Sequence, residues 1–292
     1  MKRLLFAIVI CAAVFAPFFI FAQEQEEVDP LDIQLSLPFR RGETITYDIR
    51  KMGISVGEAK LVFHGLTEAD NGKRVFQVSF TAKGFQFTDV ERIYLDPKTF
   101  YPVAIERDVN FFGKKEQIIE TYDAAGNVHI KKYHVESVTE DIKQKADAGK
   151  RKVTEKQDTT LGTYERTIEE PAGPGIVKIK KYSGKAVEEQ TISKENRLEN
   201  IYGFLYRCRF SGTFELGEQM QVSLPTKDLT LRLIKTVKLQ LEKENFDTYY
   251  LQSKPKQYQI WFDAGEKKIP LRIDGAVGFG KTSMVMKSYA SL

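Results

Sequence analysis

The chain has 292 residues, with 44 Lys and Arg against 40 Asp and Glu, which gives a formal net charge of +4. Hydrophobic residues make up 42% of the sequence, enough for a folded core, so wholesale disorder is excluded. Two Cys exclude a disulfide-rich scaffold and any metal site built from several cysteines, and three His leave little for histidine-based catalysis or metal binding. The length allows one large domain or two small ones.

Residues 1–22 have the pattern of a secretory signal peptide. A basic start is followed by an uncharged apolar stretch at 4–21, and a polar segment begins at Gln23. We expect cleavage between Ala22 and Gln23, which leaves no stable transmembrane span. The alternative is an uncleaved membrane anchor. Because the segment carries two basic residues and no acidic one, its removal lowers the net charge by two.

Segments that alternate apolar and polar residues fill most of the remaining chain. In the first of them Ile45, Tyr47 and Ile49 alternate with polar residues, and turn signals recur at spacings of about ten residues. The longest alternating stretch, 229–241, is interrupted at Lys235. This rhythm predicts a mainly β fold, either a long curved antiparallel sheet or an incomplete β-barrel, with one packed helix.

Three segments depart from the strand pattern or interrupt it. Residues 23–37 are predicted to form a flexible leader before a single β-rich domain at 38–292. The residues near 136–160 are highly charged and indicate a solvated loop insert or hairpin. The alternative for them is a basic patch that binds an anionic lipid or polymer. A turn at 183–185 is predicted to separate two paired strands.

One helix is predicted, from about Lys194 to Arg207, with Ser193 as its N-cap. Apolar residues in 198–205 fall at helical spacing, so they form one stripe that we expect to pack against the sheet. Gly203 lies inside this helix, where glycine lowers helix stability. It therefore indicates a close approach to a strand.

Several short motifs together resemble a bacterial family. The motifs are RGETITYDI at 41–49, VGEAKL at 56–61, NIYGFLYR at 200–207, IWFD at 260–263, KIPLRI at 268–273 and GFG at 278–280. In their order and spacing they resemble the exported family called domain of unknown function 3108, over about residues 38–290. The resemblance implies an exported β-rich protein in the periplasm of a Gram-negative envelope, and it supplies no catalytic residues.

The residue types needed for catalysis are sparse. Cys208 has no histidine or acidic residue near it in sequence, so we expect it to be buried and inert. His64 is predicted to end a strand before a glycine turn, and His129 and His134 to lie on another strand, without the spacing of a zinc site. The glycines at 278–280 lack the third glycine of a phosphate loop. No metal, cofactor or nucleic-acid partner is expected.

Aromatic residues are the feature that most favours a ligand. They are predicted either to line the concave side of a half-barrel and bind a hydrophobic molecule, or to form an ordinary core. The residues are Phe85, Phe87, Tyr94, Phe111, Phe112, Tyr202, Phe204, Tyr206, Tyr258, Trp261 and Phe262. The candidate ligand-binding residues are Tyr202, Tyr206, Arg207, Trp261 and Arg272. Each arginine is expected to pair with Asp263, Glu43 or Asp274, or to contact an anionic headgroup.

These observations predict an exported periplasmic binding or carrier protein for a hydrophobic or amphipathic envelope ligand, without catalysis. One alternative is an envelope interaction or assembly factor that binds a protein or polysaccharide partner through sheet edges or the charged segment near 136–160. The other is a carboxylate-dependent hydrolase, for which the sequence offers no catalytic constellation.

Overall fold

The structure, a computed structural model, describes residues 29–70, 72–145, 149–158, 162–212, 214–242, 244–275 and 282–291. Within these ranges the chain forms one antiparallel sheet of sixteen strands and two α-helices. The predicted signal peptide, its cleavage site at Ala22 and Gln23, and the glycine motif at 278–280 lie outside the described residues.

The elements follow one another along the chain as long strands joined by short turns. They are α1 (Pro30–Ser36), β1 (Thr44–Lys51), β2 (Ile54–Glu68), β3 (Arg74–Gly84), β4 (Phe87–Leu95), β5 (Pro102–Phe111), β6 (Lys114–Tyr122), β7 (Val128–Gln144), β8 (Lys152–Asp158), β9 (Thr163–Gly173), β10 (Ile176–Ile192), α2 (Ile201–Ser211), β11 (Gln219–Leu224), β12 (Lys227–Leu241), β13 (Glu244–Lys254), β14 (Gln259–Asp263), β15 (Pro270–Asp274) and β16 (Thr282–Ala290).

The sheet is built from two meanders that meet at a seam. Strands β1 to β7 pair in sequence, β10 then pairs with β7, and β9 and β8 follow to one edge. Strands β11 to β16 form the second meander, and β16 returns to pair with β1, with Thr44 opposite Ala290. The edges are β11 and β8, so the sheet is not closed. The predicted mainly β, barrel-like antiparallel architecture is confirmed.

The helix α2 lies on the concave side of the sheet and is buried around most of its circumference. The Tyr202 ring stacks on Phe80 of β3, with 3.9 Å between ring centroids. On another side, the Cys208 sulfur lies 3.7 Å from the sulfur of Met220 in β11. A helix that is buried on several faces belongs to the core of a domain, and here the sheet packs around it.

The helix begins and ends later than predicted. Asn200 is its N-cap, and the side chain accepts hydrogen bonds from the backbone N–H groups of Tyr202 and Gly203. Residues 193–200 form a non-helical connection instead, with a bend at 195–196 and an isolated bridge from Leu198 to β11. The expected close approach at Gly203 is confirmed, because a Cβ atom there would lie 3.0 Å from a methyl group of Leu95.

One end of the sheet curls back over the outer face, the face turned away from α2. Tyr164 of β9 donates a hydrogen bond of 2.6 Å to Gln117 of β6, and Tyr182 of β10 donates one of 3.1 Å to Asp108 of β5. These strands are separated by others in the sheet order, so the contacts require a second layer. A small core that includes Tyr133 lies in this layer.

Three other sequence predictions are wrong in their local structure. Within the predicted flexible leader 23–37, α1 forms a helix, and Leu37 after it is buried. The predicted loop near 136–160 is mostly strand, because β7 continues to Gln144 and β8 follows. The predicted turn at 183–185 lies inside the continuous strand β10. No helix in the described part of the chain is long and apolar enough to cross a bilayer.

Candidate functional site

The two tyrosines among the predicted ligand-binding residues lie in the core. Tyr202 and Tyr206 are 3% and 0% exposed. The Tyr206 ring packs edge-on against Phe39, with centroids 5.0 Å apart, and also contacts Phe63. Its hydroxyl is buried and has no hydrogen-bond partner within the described ranges. Both rings therefore contribute to packing between α2 and the sheet.

The predicted arginine on α2 has a different partner from those expected. Arg207 forms two hydrogen bonds with Glu199, of 3.0 and 2.8 Å, and its guanidinium lies 5.1 Å from the centre of the Tyr101 ring. One expected partner, Glu43, is instead bound by Arg209 through contacts of 2.5 and 2.8 Å. That ion pair is fully buried, and sequence reasoning missed it.

The remaining two predicted residues lie on the outer face of the second meander. The Arg272 guanidinium lies 4.9 Å from the centre of the Trp261 ring and pairs with Asp274, one of its predicted partners, at 2.9 and 3.0 Å. The side chains next to Trp261 in β14 are buried in the core, so Trp261 itself points away from α2. The structure therefore does not bring the five predicted residues together.

A cluster of buried carboxylates surrounds the start of α2. Arg107 of β5 donates to both oxygens of Asp89, at 2.8 and 2.5 Å, and its Nε atom lies 3.4 Å from Glu91. Asn200 donates a hydrogen bond of 3.1 Å to Glu91. Burial raises the pKa of Glu91 to about 7, although Arg107 opposes this shift. Burial likewise raises the pKa of Glu199 to about 7, against the effect of its arginine partner.

These carboxylates fix the position of the helix. A carboxyl group with a pKa near 7 is suited to acid–base catalysis, but buried ion-pair networks shift pKa values in the same way. Here Glu91 contacts Asn200, the N-cap residue of α2, and Glu199 contacts Arg207 in the second turn of the helix. The sequence does carry a signal, because Asp89 and Glu91 occupy the same inward-facing register of β4 as the buried Ile93.

A polar cavity of about 820 Å³ lies between the two layers, and we call it the interlayer cleft. Its floor is the outer face of β2, β3 and β4, and its rim includes residues 149–152 and Glu170 of the second layer. The polar side chains of the floor are His64, Gln77, Ser79, Thr81, Arg92 and Tyr94. Residues 149–152 belong to the charged segment that the sequence singled out.

A serine and a histidine are hydrogen-bonded on the floor of the interlayer cleft. The Ser79 hydroxyl lies 2.7 Å from Nε2 of His64, and Ser79 pairs directly with Arg92 across β3 and β4. His64 does not end a strand as predicted, since it sits at a bulge within β2 beside Gly65, whose φ is +80°. Sequence reasoning missed this pair because the strand register, not sequence proximity, brings the two residues together.

The charges around His64 disfavour nucleophilic catalysis. Burial lowers the pKa of His64, and the positive charges of Arg41 and Arg92 lower it further. A serine hydrolase needs the opposite, because its histidine becomes an imidazolium that a carboxylate stabilises. The hydrogen-bonded Ser79 and His64 therefore suit ligand binding better than proton abstraction.

The arginines of the interlayer cleft retain hydrogen-bonding capacity. Arg92 reaches Asp108 and Glu170 at 3.8 and 3.7 Å, which are ion-pair distances longer than hydrogen bonds. Arg151 donates to Asp70 at 2.7 Å, whereas its buried Nε atom makes no hydrogen bond in the described part of the chain and lies 3.6 Å from Glu170. The long ion-pair distances of Arg92 therefore leave its guanidinium the freer of the two to donate to a ligand oxygen.

The described residues form neither a metal site nor a reactive thiol. Across the described ranges, no group of three or more His, Cys, Asp or Glu side chains is placed to hold a metal ion. Cys208 is buried, as predicted, and burial raises the pKa of its thiol, which keeps the sulfur protonated.

Comparisons with known proteins add one distant likeness. No protein-family model and no curated protein sequence matches the chain. A similar solved structure is a beta-barrel-like protein of domain of unknown function 1849 from Brucella abortus, with 7% sequence identity and a TM-score of 0.38. The match covers 88% of this chain and 100% of that one. The resemblance to domain of unknown function 3108 stays a prediction.

Proposed function

We propose that the chain is an exported, non-catalytic binding protein of the cell envelope that holds a neutral, hydroxyl-rich ligand in the interlayer cleft. The ligand class that fits is a segment of an envelope polysaccharide. The observation that carries the proposal is a cavity of about 820 Å³ in which donors and acceptors lie side by side. Export rests on the signal-like pattern of residues 1–22.

The packing of α2 on the concave side makes the interlayer cleft a better ligand site than the aromatic residues predicted from the sequence. An amphipathic ligand at Tyr202 and Tyr206 would have to displace α2, because both rings are buried between the helix and the sheet. The interlayer cleft requires no such rearrangement. Part of its rim, residues 149–152, belongs to the charged segment that, in one alternative drawn from the sequence, binds a protein or polysaccharide partner.

The balance of charge in the cleft favours a neutral ligand. Lys150 pairs with Glu68 at 2.9 Å, and Arg151 pairs with Asp70 at 2.7 Å. Because the basic groups of the rim are neutralised, the cleft does not present the single-sign field that concentrates polyanions. Sugar hydroxyls donate and accept hydrogen bonds, and they match a lining in which arginine, glutamine and serine alternate with carboxylates.

Titration calorimetry of the processed chain against neutral envelope oligosaccharides tests this proposal. Ser79→Ala and Gln77→Ala should each raise the dissociation constant about five- to tenfold, the effect of losing one hydrogen bond. Thr230→Ala is the matched control, because Thr230 forms a comparable cross-strand hydrogen bond with Gln221 away from the cleft. Binding that both cleft variants leave unchanged would overturn the proposal. Tight binding of a lipid but of no oligosaccharide would also overturn it.

A further inference from the structure

Exposed apolar side chains gather at one end of the sheet, on three neighbouring hairpin turns. These turns join β1 to β2, β3 to β4 and β5 to β6. Met52, Phe85 and Phe112 are 91%, 82% and 63% exposed. We call the whole set the apolar tip, and its residues are Met52, Ile54, Val56, Phe85, Phe111 and Phe112.

The pairing of the strands places the three turns side by side. Gly57 of β2 is opposite Gly84 of β3, and Phe87 of β4 is opposite Phe111 of β5. The backbone N–H of Phe112 donates a hydrogen bond of 2.9 Å to the carbonyl oxygen of residue 86 in the neighbouring turn. The apolar tip is therefore one contiguous surface, of the kind that marks interaction sites on soluble proteins.

Backbone strain at the apolar tip argues against a purely internal role. Met52 and Phe112 have φ angles of +52° and +51°, and each precedes a glycine in a tight turn. Asparagine or glycine fits these positions best, and a larger apolar residue there costs free energy. The Phe112 ring packs edge-on against Phe111, with centroids 4.6 Å apart, but Met52 and Phe112 both remain largely exposed, so burial in the core does not account for either side chain.

Basic residues flank the apolar tip. Lys51, Lys83, Lys114 and Lys115 are all exposed beside the three turns. Three nearby carboxylates already pair with other basic side chains: Asp48 with Arg50 at 2.6 Å, Glu116 with Lys132 at 2.9 Å, and Glu58, opposite Lys83, with Lys287 at 3.4 Å. The charge around the tip is therefore positive, and lysines next to apolar residues are typical of surfaces that meet anionic headgroups.

We propose that the apolar tip docks the protein onto an anionic lipid bilayer. The aromatic and aliphatic side chains enter the boundary between headgroups and acyl chains, and the four lysines contact the headgroups. The turn between β2 and β3, which contributes to the rim of the interlayer cleft, lies at the other end of these strands. A docked molecule therefore holds the cleft away from the membrane. The docking is independent of what the cleft binds.

Co-sedimentation of the processed chain, beginning at Gln23, with lipid vesicles tests the proposal. We expect binding to vesicles of phosphatidylglycerol and phosphatidylethanolamine, and at least about tenfold weaker binding to phosphatidylcholine vesicles or in high salt. The double variant Met52→Asn/Phe112→Asn should weaken binding to the anionic vesicles at least about tenfold. Because asparagine tolerates positive φ, this variant should keep or raise the melting temperature.

The matched control is Ile142→Asn/Leu216→Asn, which removes two apolar side chains of comparable exposure, each 70%, away from the tip. It should bind the vesicles as the wild type does. Equal binding by the tip variant and the wild type would overturn the proposal. A wild-type chain that does not bind the vesicles would also overturn the proposal. If sedimentation velocity then showed a dimer that the tip variant dissociates, the apolar tip would be a contact between two copies of the chain instead.

Discussion

The buried carboxyl group of Glu91 is one of two that couple the stability of the fold to pH, the other being Glu199. Arg107 and Asn200 both contact Glu91, but they do not offset the loss of hydration, and the pKa rises from 4.5 to about 7. The folded state therefore keeps the proton over a pH range in which an exposed glutamate has released it. In that range the unfolded state binds fewer protons, so stability falls as the pH rises.

Replacing Glu91 with glutamine should remove this part of the pH dependence. Between pH 5 and pH 8 the wild type should lose on the order of 2 kcal/mol of unfolding free energy relative to Glu91→Gln. Urea unfolding at the two pH values measures the difference. Glu188→Gln, at an exposed position, is the control and should behave as the wild type. Parallel pH profiles for the wild type and Glu91→Gln would contradict the prediction.

At the scale of an element, α2 is anchored at both ends. Asn200 caps the first turn and also binds Glu91 of β4, whereas Gly212 ends the helix in the left-handed conformation. Near that end, Arg209 binds Glu43 just before β1. The helix is thus attached to strands on two sides, which explains how an eleven-residue helix keeps one position in the core.

Asn200→Ala should lower the free energy of unfolding by about 1–2 kcal/mol, because the first-turn N–H groups lose their acceptor. Asn200→Ser restores a cap but cannot reach Glu91, so it should recover part of that loss. Urea denaturation near pH 7 measures both variants. If Asn200→Ala and the wild type had the same free energy of unfolding, the cap would not contribute to the stability of the fold.

At the scale of the whole molecule, one carboxylate joins the two layers of the sheet. Glu106 of β5 accepts hydrogen bonds from Arg151 at 2.6 Å and from Arg166 of β9 at 2.5 Å. Burial alone would raise the pKa of Glu106, but the two arginines outweigh it and hold the pKa below its usual range. The carboxylate therefore stays ionised and keeps the second layer on the outer face.

Removing Glu106 should loosen the second layer, although the hydrogen bonds of Tyr164 and Tyr182 to the first layer remain. In Glu106→Ala, Arg151 and Arg166 lose the carboxylate that they share. The Arg166 side chain is only 2% exposed, so we expect the free energy of unfolding to fall by about 3–5 kcal/mol. Hydrogen exchange should accelerate in β8 and β9 and stay unchanged in β12 and β13. Uniform acceleration over all strands would show that the layers unfold as one unit instead.

The strand pattern was predictable because one face of each strand packs on a common core. Ile45, Tyr47 and Ile49 are buried, and the residues between them are half-buried, as alternation requires. Gly184 misled the prediction, because a glycine suits a tight turn and a bulge equally. In β10 the missing side chain lets the strand lie directly against the backbone of His134, and the strand continues.

The candidate site was less predictable than the fold. Ser79 and His64 meet through strand register, and the rim of the interlayer cleft comes from a layer that folds back over distant strands. No local pattern specifies such a contact. The apolar tip differs, since Phe111 and Phe112 are adjacent apolar residues beside a glycine turn, a signal that the sequence displays.

The seam between β1 and β16 determines when the protein can finish folding. The Tyr289 hydroxyl donates to Glu43, a residue 246 positions earlier in the chain. Until β16 is synthesised, β1 has one unpaired edge, which is free to pair with the wrong strand. Contacts at such separation also slow folding. The first meander therefore keeps an unpaired edge until the C-terminal strand has joined it.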